Sequence, residues 1–141
     1  MKIIAVGKNK KSFSEQGIKY YQKQISKLEI IEVKQSTKEK ETDLILSKVK
    51  QRDYVVGLAI EGKKYSSEEF ATKLDQLKSL GSEIIFIIGG STGLSDEVIA
   101  RCNELISFSD LTFPHELFRL MLVEQIYRAE SIILKKPYHK W

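Results

Sequence analysis

The chain has 141 residues, 42% of them hydrophobic, with 23 Lys and Arg against 19 Asp and Glu for a net charge of +4. That is the size and apolar content of a single domain, 1–141, with a real core, and no stretch approaches the roughly 18 to 20 apolar residues of a membrane-spanning helix. One cysteine and two histidines exclude an internal disulfide and argue against a structural zinc site, so no metal and a reducing, cytoplasmic setting are expected. The lysine-rich N-terminus lacks a signal-peptide core, and the modest positive charge permits a nucleic-acid partner without requiring one.

In chain order, Lys2 to Val6 predicts a strand that Gly7 ends. Lys8, Lys10 and Lys11 form a basic loop, and Ser12 with Glu15 makes a capping-box pattern opening a helix to about Ser26. Leu28 to Val33 is the next strand. The polar run Lys34 to Glu41 reads as an exposed loop entering a helix that carries Leu44, Ile45, Leu46 and Val49. Tyr54 to Ile60 predicts a third strand, closed by Glu61 and Gly62. Ser66 and Glu69 form a second capping box, and the helix they open ends at Gly81, suited to the C′ position. The fully apolar, β-branched run Ile84 to Ile88 predicts a strand buried on both faces. Ser95 reads as the N-cap of a short helix containing Cys102, a buried and inert thiol, and Leu105 to Phe108 as a fifth strand. This alternation argues for an α/β fold with a five-stranded parallel sheet flanked by helices.

Between the fourth strand and its helix lies GGSTGLS. A strand, glycine turn and helix form the place where open α/β sheets bind ligands. The turn is neither a P-loop nor a GxGxxG fingerprint, and Asp110 does not rescue the latter. On the residues alone it is a ligand turn or a plain tight turn.

From Pro114 a long helix runs to about Leu134. Its apolar residues between Leu117 and Val123 cover most of the circumference, which a surface helix of a monomer does not do, so a homodimer is expected. Arg119 and Glu124 stand in this apolar surround as an ion pair across the dimer or as functional groups. His115, at the helix start, is a polar capping residue or a ligand to substrate, and HELFR is not the zinc motif HExxH. Beyond it come Pro137, Tyr138, His139, Lys140 and Trp141, unusually aromatic and basic for a tail with nothing to touch.

Three segments, LAIEGK (58–63), FIIGGSTGL (86–94) and SFSDLTFPHELFRLMLVEQIYRAESIILKKPYHK (107–140), together with the opening MKIIAVGK, resemble SPOUT-class methyltransferases of the ribosomal large-subunit methyltransferase H type. The chain departs from that pattern in being short between Val33 and Asp43, and in ending with Trp141. The resemblance implies a trefoil knot over roughly 54–141, a rare exception to unthreaded topology. It implies a homodimer that binds S-adenosyl-L-methionine and methylates N3 of a pseudouridine in helix 69 of 23S ribosomal RNA, within the large subunit or the 70S ribosome. By motif, the resemblance assigns cofactor contacts to Leu58, Gly90, Ser109, Asp110, Leu111, Thr112, Phe113 and Pro114. Arg119, Tyr138 and His139 are then the candidates for catalysis, with His115 and Lys140 for substrate binding. No membrane is involved. The competing readings are an RNA- or ribosome-binding module without catalysis, and an α/β nucleotide-binding enzyme acting on a small molecule.

Overall fold

A computed structural model describes residues 1–10 and 12–141, so Lys11 of the basic loop lies outside the described residues. The chain divides into two compact units. The first comprises Met1–Lys8, Leu28–Lys64 and Ser82–Thr112, and the second comprises Asn9–Lys27, Tyr65–Gly81 and Phe113–Trp141.

The first unit holds the whole sheet: β1 (Lys2–Val6), β2 (Glu29–Val33), β3 (Tyr54–Lys64), β4 (Ile84–Ile88) and β5 (Glu104–Ser107). All neighbours are parallel, in the order β2-β1-β4-β3-β5. Central β4 is buried at every position, as its unbroken apolar run requires. Because successive side chains alternate faces, Ile4, Val6, Val33, Val55, Ile85 and Ile87 form one apolar layer, joined by Ile45 of α2 (Lys38–Ser47) and Val98 of α4 (Asp96–Arg101). Ile3, Ala5, Val56, Phe86 and Ile88 turn to the other face and are equally buried.

Two local expectations fail here. The run 34–41 is not all loop. Thr37 caps α2 by accepting from the Lys40 amide at 3.2 Å, and Glu41 lies a turn inside the helix at 5% exposure. β3 does not close at Gly62 either. Ile106 of β5 pairs first with Leu58 and again with Lys63, so residues 59–62 form an excursion between two pairings with one partner. Gly62 permits it, because a Cβ there would stand 2.6 Å from the Ile106 nitrogen.

The second unit is helical: α1 (Ser12–Gln22), α3 (Ser67–Ser79) and α5 (His115–Ile133), with α5 packed against both others. α1 begins at Ser12, so its capping position falls on residue 11, which lies outside the described residues. Ser66 and Glu69 do make the capping box that opens α3, and Gly81 follows the end of that helix at φ +79°. Buried Glu130 of α5 accepts from the Ser26 amide and hydroxyl, both at 3.2 Å, and from Lys78 Nζ at 2.5 Å, tying the three helical segments together. Beyond α5, Lys135 takes the left-handed conformation at φ 58°. Its amide donates to Ile132 O at 3.1 Å and the Lys136 amide to Ser131 O at 2.8 Å, the paired bonds of a Schellman turn. The chain is thereby folded back along α5.

Candidate functional site

In a parallel sheet every strand ends on the same edge. The neighbours β4, β3 and β5 therefore carry Gly90, Leu58 and the loop after Ser107 to one side of the first unit. Leu58 is buried and is the last residue of β3 before its excursion. Gly90 and Gly93 close a tight turn, the Gly93 amide donating to Gly90 O at 3.0 Å. A Cβ added at Gly90 would stand 3.1 Å from Val6 Cγ1 and 3.3 Å from Glu41 Oε1, so the turn presents bare backbone against a filled wall. Such a floor fits a flat nucleoside that must lie close to main chain.

The loop after β5 is pinned by short-range bonds. Ser107 Oγ donates to Ser109 O at 3.0 Å, and the Leu111 amide donates to Ser109 Oγ at 3.0 Å. Asp110 pairs with Lys64 at 2.7 Å; both are exposed, so the pair orders the loop more than it stabilises the fold. Leu111 projects outward at 70% exposure. Six of the eight cofactor candidates, Leu58, Gly90 and Ser109 to Thr112, thus share this unit and this edge. Phe113 and Pro114 belong to the second unit, where the Phe113 ring lies 6.3 Å from that of Phe118 and Pro114 O accepts from the Phe118 amide at 2.9 Å.

The tail makes the second constellation. His139 Nε2 lies 2.5 Å from Glu68 Oε2, and its Nδ1 lies 3.0 Å from Arg128 Nη1. A guanidinium can only donate, so Nδ1 is the accepting nitrogen and Nε2–H donates to Glu68. That bond holds the Glu68 carboxyl below the usual carboxylate value. Arg128 also binds Glu124 Oε1, through Nε at 2.8 Å and Nη2 at 2.7 Å, and lies 4.9 Å above the Tyr138 ring. Tyr138 Oη donates to Glu124 Oε1 at 3.2 Å and is equally close to Tyr21 Oη; its ring packs edge-on against Tyr127 at 4.6 Å. Burial, then the Tyr21 hydrogen bond and the charge of Glu124, push the Tyr138 pKa upward. Tyr138 therefore stays a phenol and acts as a donor. Lys140 and Trp141 are exposed.

Glu68 and Arg128 are the members of this cluster that sequence reasoning passed over, although the i,i+4 spacing of Glu124 and Arg128 is a helix-pair signal. Arg119 and Glu124 do not face each other within one chain, which leaves their pairing across a dimer as an expectation. Five residues separate them, about 140° around the helix, and Arg119 and Arg128 point about 180° apart. Arg119 is buried, with Nη2 3.1 Å from Nε2 of His115 one turn earlier. The structure thus brings Tyr138 and His139 together and sets Arg119 beside His115. Burial raises the Cys102 pKa to about 11, in keeping with an inert thiol. Among the described residues no group of three His, Cys, Asp or Glu could hold a metal ion, and no helix is long and apolar enough to cross a membrane.

A parallel five-stranded sheet with a bare glycine turn at its carboxyl edge places the chain among open α/β proteins, in which ligands bind at that edge. The chain belongs to the SPOUT methyltransferases, because the family model described as "Predicted SPOUT methyltransferase" matches residues 1–139. It is similar to Ribosomal RNA large subunit methyltransferase H of Ligilactobacillus salivarius (strain UCC118), at 47% identity over 157 aligned residues and 99% of each chain. The protein of the same name from Bacillus cereus (strain ATCC 10987 / NRS 248) is 48% identical over 155 residues, with 98% of each covered. Among solved structures, a probable methylase family protein from Haemophilus influenzae Rd KW20 superposes with a TM-score of 0.61 over 99% of this chain and 70% of that one. At 14% identity it speaks for the fold alone.

Proposed function

We propose that this chain is an S-adenosylmethionine-dependent ribosomal RNA methyltransferase. Its target is N3 of a pseudouridine in helix 69 of 23S ribosomal RNA, and it acts in the cytoplasm on the large subunit or the whole ribosome. The observation that carries the reading is the full-length likeness to relatives named for large-subunit ribosomal RNA methylation. In this reading residues 1–141 form one methyltransferase domain, with the knot over roughly 54–141 that the resemblance implies.

When bound, the cofactor supplies an electrophilic methyl group on a sulfonium. Leu58, Gly90 and the loop Ser109 to Pro114 hold it: Leu58 offers an apolar wall, Gly90 close backbone approach, and the loop main-chain donors and acceptors that read an adenine edge. The tail cluster serves the acceptor nucleotide. Its ring N3–H must lose a proton, and Arg128 stabilises the resulting anion while Tyr138 donates a hydrogen bond to the base. As Arg128 turns to the base, Nδ1 of His139 is left open to take the proton, with Glu68 steadying the imidazolium at Nε2. Buried Arg119, with His115 beside it, lends positive charge, and exposed Lys140 meets a phosphate.

The test is mass spectrometry of 23S ribosomal RNA from cells with and without this protein. The methyl mark on the helix 69 pseudouridine is expected to vanish with the gene and return with the purified enzyme and cofactor. An unchanged modification profile would overturn the reading and favour a non-catalytic ribosome-binding module.

The homodimer rests on α5. Leu117, Phe118, Leu120, Met121 and Tyr127 are only half-buried within one chain, which leaves apolar surface for a second copy. Sedimentation at micromolar concentration is expected to give twice the chain mass, and a clean monomer would count against a shared interface.

A further inference from the structure

Glu41 is in an unusual place for a carboxylate. It lies one turn into α2, yet is only 5% exposed. Its Oε2 accepts from the Ser36 amide at 2.8 Å, and among the described residues no Lys, Arg or His lies within ion-pair distance of it. The neighbouring Thr42 donates from Oγ1 to the hydroxyl of Ser95, the cap of α4, at 2.7 Å, which fastens the start of α2 beside the glycine turn. The position a Cβ would take on Gly90 is 3.3 Å from Glu41 Oε1 and 3.7 Å from Oε2. The carboxylate thus looks across bare Gly90 backbone. One amide and the positive end of α2 offset part of the cost of burying that charge, but a carboxylate has room for several donors.

We propose that Glu41 is a further cofactor-binding residue, whose Oε1 accepts a hydrogen bond from a donor on S-adenosylmethionine lying over Gly90. This rests on the methyltransferase reading above. Three parts of that ligand carry donors: the ribose hydroxyls, the adenine amino group and the methionine ammonium. Glu41 selects for them by charge, as the apolar and main-chain groups around the turn cannot.

The test is calorimetric titration of the full-length protein and its Glu41→Gln variant with S-adenosylmethionine and with 5′-methylthioadenosine, which keeps the ribose but lacks the ammonium. Glutamine is isosteric, and its carbonyl can keep the Ser36 bond. The remaining NH2 then faces the ligand as a donor where an acceptor is needed. S-adenosylmethionine affinity is expected to fall about tenfold or more, the weight of one charge-assisted hydrogen bond. A parallel loss for methylthioadenosine assigns the bond to the nucleoside, ribose or adenine amino group, and an unchanged methylthioadenosine affinity assigns it to the ammonium. Should Glu41→Gln fail to fold, as judged by its melting curve, Glu41→Asp draws the charge back from Gly90 by one methylene and is expected to weaken binding in the same sense. A folded variant that binds S-adenosylmethionine within about twofold of the parent would overturn the inference and leave Glu41 as a cap for Ser36. Absence of binding by the parent protein itself would overturn the methyltransferase reading together with this one.

Discussion

Removing Tyr138 to Trp141 is expected to lower methylation of ribosomes by about a hundredfold or more while leaving cofactor affinity within a few-fold. The tail is a structured element. His139 bridges Glu68 and Arg128, and Tyr138 packs on Tyr127 while donating to Glu124. Truncation strips Arg128 of its imidazole and aromatic neighbours and removes the group proposed to take the proton. None of the deleted residues belongs to the loops assigned to the cofactor. Single substitutions are expected to divide the loss: His139→Ala in turnover, and Lys140→Ala in apparent substrate affinity with a shallower salt dependence. A truncated enzyme that turns over at the parent rate would reduce the tail to packing and shift the proton transfer to Arg119 and His115.

Gly90→Val is expected to abolish measurable S-adenosylmethionine binding in a protein that still folds. The added Cβ would come within 3.1 Å of Val6 Cγ1 and 3.3 Å of Glu41 Oε1, contacts with side-chain atoms that can shift by a few tenths of an ångström. The γ-methyl groups add further bulk at the turn proposed to take the cofactor. Overpacking of this kind costs about 1–3 kcal/mol in stability, which circular dichroism would register as a modest fall in melting temperature. Calorimetry on the folded variant decides the matter, and parent-like affinity would move the cofactor away from the glycine turn. Gly62 makes the instructive contrast, because there the added atom meets the β5 backbone, which cannot give way.

Elements dictated by local chemistry were legible in the chain before any fold was known. The run Ile84–Ile88 is a buried central strand, Ser66 with Glu69 caps α3, Ser95 caps α4, and Gly81 follows α3 in a left-handed conformation. What escaped reading depends on partners distant in sequence. Glu41 looks like a solvated charge until Ser36 and the Gly90 turn close around it. β3 runs past Gly62 because β5, over forty residues later, offers Ile106 twice. The cofactor loops and PYHK tail were named from resemblance, whereas the partners of the tail, Glu68, Glu124 and Arg128, emerged only from the fold. Within one chain helix phase sends Arg119 and Glu124 to different sides, so only a second copy could pair them.

Lys135 gives the tail a particular mechanical character. A residue with a Cβ in the left-handed region costs about 1 kcal/mol more than glycine would, so the conformation is held by the two Schellman hydrogen bonds against a local preference. Glycine would relieve that strain, but it would also turn the joint into a swivel with many accessible headings. With lysine the joint has few, and the next residue is further restricted by Pro137. The last five residues therefore behave as a stiff lever whose bearing is set at α5, so that ordering the imidazole and phenol costs little when an acceptor arrives.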